Sequence, residues 1–146
     1  MLYDSIIIGT GPAGVSAALN LKILDKNFLW FGSGASSKKV EAAELIRNYP
    51  GLPDISGVEL SSALVSHAKS MGIEPRQEIV TAIYDLGGRY AVTAGTDTYE
   101  SKTIILCTGV TTAKPVDGEE QFLGRGVSYC ATCDGFLYNG KTIGVI

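Results

Sequence analysis

The glycine loop near the start of the chain constrains the fold more than any other feature. Gly9–Gly14 reads Gly-Thr-Gly-Pro-Ala-Gly and fits the pattern G-x-G-x-x-G. The loop follows an apolar run at Ser5–Ile8 and opens a segment, Ala13–Leu24, whose apolar residues recur at helical spacing. Asn27–Phe31 is a second short apolar run. This order of strand, loop, helix and strand is a βαβ unit, and it predicts an α/β fold built on a Rossmann-like parallel sheet.

The loop also predicts a binding site for the pyrophosphate of a dinucleotide. Gly9 permits the tight turn, Gly11 lets the backbone approach the phosphates, and Gly14 lets the helix pack against the strand. Pro12 suits the first helical turn, where a missing N–H is no loss, and the helix dipole favours an anion. A glycine turn without a ligand is the alternative. The carboxylate that usually binds a ribose is missing after the second strand, so another group or the backbone is expected to bind it.

The middle of the chain predicts a further helix and an antiparallel meander. Gly32–Lys39 is a polar loop, and Val58–Met71 is an amphipathic helix. Glu78–Glu100 has β-like alternation broken by glycine turns. Thr103–Cys107 predicts a separate strand that returns to the parallel sheet, and Lys141–Ile146 predicts the start of one more strand.

Charge and hydropathy argue against a nucleic-acid partner and a membrane span. The net charge is -3 over 146 residues, and no cluster of Lys and Arg suggests a nucleic-acid site. No apolar run approaches the length of a membrane span, and the first residues do not form a signal peptide. We therefore expect a cytoplasmic protein, in a compartment where paired cysteines are redox-active or bind metal.

A second motif, Cys130-Ala-Thr-Cys133 followed by Asp134, predicts thiol–disulfide chemistry. The Cys-x-x-Cys spacing allows a disulfide within one turn and favours thiolates. A departing thiolate needs a proton, which Asp134 could deliver. Zinc is an alternative, but it needs about four ligands. Only Cys107 and His67 could add to the pair, so no metal site is predicted; two inert thiols are the other alternative.

In order and spacing, these motifs resemble the low-molecular-weight, bacterial-type thioredoxin reductases, from the N-terminal portion of such a chain. The resemblance rests on the glycine loop, Asn48–Gly51, Leu106–Gly109, and above all on Gly124–Ser128 leading into Cys-Ala-Thr-Cys-Asp-Gly. It implies that residues 1–113 are the N-terminal part of an FAD-binding domain. Residues 114–146 would be the connector and the truncated start of a second, NADPH-type domain that carries the cysteine pair.

The resemblance further implies a flavoprotein that reduces thioredoxin and is a homodimer at full length. Cys133 would face the flavin and accept its electrons, Cys130 would exchange with the disulfide of thioredoxin, and Asp134 would be the acid–base group. Asn48 would lie beside the flavin, and Val80 would contact the adenine end through its backbone. The residues implied to bind FAD are Gly9, Thr10, Gly11, Pro12, Ala13, Gly14, Asn48, Val80, Thr108 and Gly109.

The sequence departs from the family pattern in three ways. Ser37–Val40 reads Ser-Lys-Lys-Val where NADPH-dependent members usually have Gly-Gly-Gln-Leu. Contacts on the flavin side are therefore expected to differ, and ferredoxin is an alternative donor to NADPH. Cys107 stands where Ala is usual, which is a mild change. The chain is also about half the length of a family member, and no second glycine loop follows Ile146. An inactive truncated fragment that binds FAD weakly or not at all is therefore the competing interpretation.

Overall fold

A mixed sheet of five strands organises the chain in the computed structural model. Residues 1–32, 37–110 and 115–145 are described, apart from the side chain of Cys133. The elements are β1 (Leu2–Ile8), α1 (Pro12–Ile23), β2 (Phe28–Phe31), α2 (Lys38–Glu41), α3 (Gly57–Ser70), β3 (Val80–Asp85), β4 (Tyr90–Ala94), β5 (Asp97–Leu106), α4 (Glu119–Phe122), α5 (Ala131–Asp134) and a 3₁₀ turn at Gly135–Tyr138.

The sheet has the order β2-β1-β5-β4-β3. β1 runs parallel to both β2 and β5, whereas β4 is antiparallel to β5 and β3. The α/β class, the βαβ unit and the meander expected from the sequence are therefore confirmed.

β5 corrects one detail of the sequence interpretation. The prediction of a meander that ends at Glu100 and a separate strand from Thr103 is wrong, because Asp97–Leu106 is a single strand. The polar residues between the two apolar stretches do not interrupt it. Ser101 is fully buried and its hydroxyl donates to the carbonyl oxygen of Thr103 at 2.9 Å, while Lys102 pairs with Asp4 on β1 at 2.7 Å. One strand can thus belong to both the parallel sheet and the meander.

The core lies on both faces of the parallel strands. On one face, Ile7 and Trp30 pack with Val15 and Ala18 of α1 and with Ala68 of α3. On the other face, side chains from β1 and β2 pack against side chains from β4: Ile6, Ile8, Leu29, Phe31, Val92 and Ala94. Helices therefore cover one face and the meander covers the other. The free carboxyl ends of the parallel strands are the usual position of ligands in such folds.

The chain divides into two compact units. The first comprises Met1–Ser37 and Ser61–Val110, and the second comprises Lys38–Leu60 and Thr111–Ile146. The units do not follow chain order, since Lys38–Leu60 groups with the C-terminal residues. The domain boundary near residue 113 stays a prediction.

Two local predictions are wrong. Lys38 and Lys39, expected in a loop, begin the short helix α2; residues 33–36 of that loop lie outside the described part of the chain. The strand predicted at Lys141–Ile146 does not form over residues 141–145, where Ile143 and Val145 are 63% and 92% exposed. An apolar pattern makes a strand only when a neighbouring strand binds its backbone groups.

Among the described helices, none is both long and apolar enough to cross a membrane.

Candidate functional site

Gly9 makes the turn that joins β1 to the glycine loop. Its N–H donates to the carbonyl oxygen of Phe31 at 2.8 Å, which ties the loop to the end of β2. Its φ is +117°, a backbone conformation that L side chains rarely adopt. A Cβ here would lie only 2.1 Å from the carbonyl oxygen of Cys107. Both the backbone conformation and the available space therefore require glycine.

The other two loop glycines have different surroundings. A Cβ on Gly14 would lie 2.0 Å from the carbonyl oxygen of Gly9, so α1 sits directly on the loop. A Cβ on Gly11 would meet only the Cβ of Ser37, at 3.8 Å. Gly11 is the N-cap of α1 and makes no side-chain capping bond, and Pro12 follows it at the first helical position. Gly11 thus keeps an open approach to the helix N-terminus, which is the arrangement an anion needs.

Gly32, the residue directly after β2, has no room for a side chain. Thr10 is 8% exposed, and a Cβ on Gly32 would lie 2.3 Å from its Cγ2 atom. A side chain at position 32 would therefore displace Thr10 from its packed position. Because the Thr10 side chain packs against Gly32, a ligand of the loop would contact mainly the backbone of Thr10.

Sequence reasoning missed a segment that pairs with the end of β2. Arg76 forms a parallel bridge with Phe31: its N–H donates to the carbonyl oxygen of Trp30 at 2.7 Å, and its carbonyl oxygen accepts from Gly32 at 3.1 Å. The Arg76 guanidinium donates to the hydroxyl of Tyr99 at 3.0 Å. The charged Glu-Pro-Arg sequence carries no strand signal, so only the fold identifies this pairing.

Thr108 and Gly109 lie at the same edge of the sheet as the glycine loop. The N–H of Cys107, just after β5, donates to the carbonyl oxygen of Ile8 at 2.7 Å. Thr108 and Gly109 follow as exposed residues, and Gly109 has a φ of +70°. Cys107 is a free thiol, and partial burial raises its pKa. The fold therefore gathers Gly9, Thr108 and Gly109 where β1 and β5 end.

Val80 begins β3 and pairs with Ala94. Its half-buried side chain packs against the core between the sheet and the meander. The side chain is committed to packing, which leaves the backbone as the part of Val80 able to meet a ligand.

Asn48 lies in the second unit, exposed on a closed loop. Ile46 and Ile55 pair across the base of this loop, with hydrogen bonds of 2.7 and 3.1 Å. Within the loop, the side chains of Arg47 and Asp54 form an ion pair at 3.1 Å. The predicted turn is present, and it presents Asn48 to solvent.

Cys130 and Asp134 lie together at the short helix α5 of the second unit. Cys130 is disulfide-bonded, and its carbonyl oxygen accepts from the N–H of Asp134 at 3.0 Å. Ser128, the last residue of the Gly124–Ser128 motif, donates to the Oδ2 atom of Asp134 at 2.6 Å. The Oδ1 atom of Asp134 is buried, and no described residue donates to it. The side chain of Cys133 is not described.

The site residues expected from the sequence thus fall into two groups. The first unit holds the glycine loop, Val80, Thr108 and Gly109; the second holds Asn48, Cys130, Cys133 and Asp134. Within the described ranges, no three His, Cys, Asp or Glu side chains come close enough to share a metal ion.

Comparison with known proteins confirms the resemblance to thioredoxin reductases. Those of Listeria innocua and Bacillus subtilis are 38% and 37% identical over 146 residues, which is 99% of this chain and 46% of theirs. The thioredoxin reductase of Streptococcus pyogenes has a solved structure with a TM-score of 0.82 at 37% identity, covering 94% of this chain and 45% of that one. The Ferredoxin-Flavin Thioredoxin Reductase of Clostridium acetobutylicum has a TM-score of 0.74 at 45% identity, covering 94% and 48%.

The chain thus spans about half the length of the curated relatives it matches. Residues 3–146 match the pyridine nucleotide-disulphide oxidoreductase family, and the chain belongs to that family.

Proposed function

We propose that this chain is the flavin-binding and disulfide-carrying part of a thioredoxin reductase. The observation that carries the proposal is the presence, in one chain, of an open glycine cradle at Gly9–Gly14 and a disulfide at Cys130 with a carboxylate beside it. A dinucleotide-binding loop alone fits many oxidoreductases. A Cys-x-x-Cys disulfide alone fits many thiol proteins. Together they fit an enzyme that passes electrons from a flavin to a protein disulfide.

The cradle has the features that the pyrophosphate of FAD requires. Gly11 is open to a close approach, and α1 directs its N-terminus to the same place with no side-chain cap in the way. We assign Gly9, Thr10, Gly11, Pro12, Ala13 and Gly14 to the pyrophosphate, Thr108 and Gly109 to the adjoining edge, Val80 to the adenine end through its backbone, and Asn48 to the flavin. When bound, FAD supplies a two-electron carrier.

The cysteine pair then acts as the exchange site. We propose that Cys130 and Cys133 form the disulfide, that Cys133 faces the flavin, and that Cys130 attacks the disulfide of thioredoxin. Two electrons and two protons convert the pair to thiols. The thiolate of Cys130 then displaces one sulfur of the partner, and Cys133 resolves the mixed disulfide. Asp134 supplies and recovers the proton at the departing sulfur.

Ferredoxin is a second candidate for the electron donor beside NADPH. Two observations favour it: the Ser-Lys-Lys-Val sequence at Ser37–Val40, and the 45% identity to the ferredoxin–flavin enzyme against 37% to the Streptococcus pyogenes enzyme. We propose a homodimer at full length and a cytoplasmic location, where thioredoxin is kept reduced.

Anaerobic flavin reduction tests the function and separates the two donors. Purified protein is expected to be yellow. In the full-length enzyme that contains this chain, the flavin absorbance is monitored after addition of NADPH or of reduced ferredoxin. Thioredoxin is then added, and its new thiols are counted against a Cys130→Ser control, which should leave thioredoxin oxidised. Rapid, saturable bleaching by NADPH supports the ordinary donor, whereas bleaching by ferredoxin alone supports the second. A colourless protein that passes no electrons to thioredoxin would favour the inactive fragment.

A further inference from the structure

The hydroxyl of Ser128 joins the backbone of Cys130 to the carboxylate of Asp134. The N–H of Cys130 donates to the Oγ atom of Ser128 at 3.0 Å, and this Oγ lies 2.6 Å from the Oδ2 atom of Asp134. All three residues belong to the second unit. One side chain therefore contacts both the redox-active end of the motif and its acid–base group.

The single proton of the Ser128 hydroxyl has two possible acceptors. One is the Oδ2 atom of Asp134 at 2.6 Å, and the other is the carbonyl oxygen of Cys130 at 3.4 Å. A contact of 2.6 Å is a normal length for a hydrogen bond between two oxygen atoms, whereas 3.4 Å is longer than the usual range. The proton therefore goes to Asp134, and Oδ2 is held in a fixed direction.

The other carboxylate oxygen is left without a partner. The Oδ1 atom of Asp134 is buried, and no donor reaches it from the described residues. Buried polar atoms almost always have hydrogen-bond partners, so an exception requires a reason. The backbone N–H of Asp134 donates to the carbonyl oxygen of Cys130 at 3.0 Å, which keeps this carboxylate within one helical turn of the disulfide. A proton that is gained and lost during exchange would account for a vacant oxygen at this place.

We propose that Ser128 is a positioning residue: its hydroxyl holds the Oδ2 atom of Asp134 so that Oδ1 faces the departing sulfur of the redox pair. The proposal rests on the role given to Asp134 in the proposed function. When an incoming thiolate attacks the disulfide, one S–S bond forms and the bond of the pair breaks. The reacting form of Asp134 is the carboxylic acid with its proton on Oδ1; the departing sulfur leaves with the electron pair and takes this proton. Solvent then restores the proton to the carboxylate.

Reduction by dithiothreitol tests this step without thioredoxin or an electron donor. The first thiolate of dithiothreitol attacks the pair, and its second thiolate releases the cyclic oxidised product, so both electrons come from the reagent. The purified protein with its cofactor is mixed anaerobically with dithiothreitol, quenched in acid, and its thiols are counted over time. The variants are Ser128→Ala, Asp134→Asn and the double variant, with Ser66→Ala on the exposed side of α3 as the matched control.

The expected rates form a double-mutant cycle. Asp134→Asn slows reduction about 100-fold and Ser128→Ala about tenfold, because the acid is lost in one and misdirected in the other. Adding Ser128→Ala to Asp134→Asn causes no further slowing, since a hydroxyl that acts only through the acid has nothing left to position. The Ser66→Ala control keeps the unmodified rate.

Two results would overturn the proposal. One is a Ser128→Ala protein that reacts at the unmodified rate. The other is an equal slowing by Ser128→Ala in the presence and absence of Asp134, which would mean that the hydroxyl only supports the local fold.

If Ser128→Ala does not fold, the near-isosteric pair Ser128→Thr and Ser128→Val replaces it. The proposal requires the valine protein to be slower, and equal rates would overturn it. If the double-mutant cycle gives the expected rates but the protein does not reduce thioredoxin, the result counts against the proposed function and not against the role of Ser128.

Discussion

The indole N–H of Trp30 donates a hydrogen bond to the carbonyl oxygen of Gly9 at 2.8 Å. Trp30 lies on β2 and is 4% exposed, whereas Gly9 is the first residue of the loop after β1. The N–H of Gly9 also donates to Phe31 on β2. Both backbone polar groups of Gly9 are therefore hydrogen-bonded to β2, which restrains the start of the loop. Preorganisation of this kind lowers the ordering cost of binding.

Replacing Trp30 with Phe should weaken both the fold and the retention of flavin. The ring remains apolar, but the carbonyl oxygen of Gly9 loses its donor, which typically costs about 1–3 kcal/mol of unfolding free energy when the group stays buried. Thermal unfolding and the ratio of flavin to protein measure the two effects. Tyr84→Phe, which removes a hydroxyl from an exposed ring, is the control and should change neither. Equal stability of the Trp30→Phe and unmodified proteins would contradict this account.

Two substitutions in the glycine loop should affect folding and flavin binding separately. Gly14→Ala places a Cβ 2.0 Å from the carbonyl oxygen of Gly9, so we expect a loss of about 3 kcal/mol or more, from overpacking against backbone. A valine side chain at position 11 has room within the protein, and valine readily adopts the extended backbone there. The same side chain would occupy the approach to the phosphates. The Gly11→Val protein should keep its melting temperature within a few degrees and purify without flavin. A Gly11→Val protein with stoichiometric flavin would refute the assignment of the cradle.

Thiol counts should identify the redox pair. With Cys107 free and Cys130 in a disulfide, the oxidised protein is expected to show one thiol on denaturation, and anaerobic reduction should add two. In the folded protein Cys107 should react slowly with alkylating reagents at neutral pH, because burial raises its pKa. Cys107→Ala should lower both counts by one. A count that does not change on reduction would instead support inert thiols or a zinc site.

The ion pair between Asp4 and Lys102 should make stability depend on pH. The hydrogen bond from Lys102, followed by that from the N–H of Asn27, holds the pKa of Asp4 below its usual value. A carboxyl whose pKa is lower in the folded state than in the unfolded state stabilises the fold above the unfolded pKa. That stabilisation is lost as the pH falls through the folded pKa.

Asp4→Asn should therefore be less stable than the unmodified protein at neutral pH, with a difference that shrinks as the solution becomes acidic. Chemical denaturation at several pH values measures this, with Asp117→Asn, at an exposed carboxylate, as the control. If the difference in unfolding free energy stays constant to pH values well below the pKa of a free aspartate, the pairing does not stabilise the fold.

Much of the fold and of the candidate site could be predicted from short stretches of sequence. The boundaries of α1 and α3 follow from apolar spacing, and the glycine loop follows from three glycines in a fixed pattern. The start of α3 also has a local signal: Ser56 and Glu59 form the reciprocal hydrogen bonds of a capping box, for which Ser-x-x-Glu is the typical sequence. By contrast, the strand predicted at Lys141–Ile146 does not form over residues 141–145, because no strand of the described residues pairs with them there.

The sequence by itself determined the strand–loop–helix at Gly9–Gly14, the Cys-x-x-Cys pair and the family. Each depends on steric and spacing rules that act within a few residues. Only the tertiary structure decided that Trp30 holds the Gly9 carbonyl, that Thr10 leaves no room for a side chain at Gly32, and that Arg76 pairs with the end of β2. These contacts join residues that are 21 to 45 positions apart. Their geometry depends on strand register and on the packing of both faces of the sheet, which no local pattern specifies.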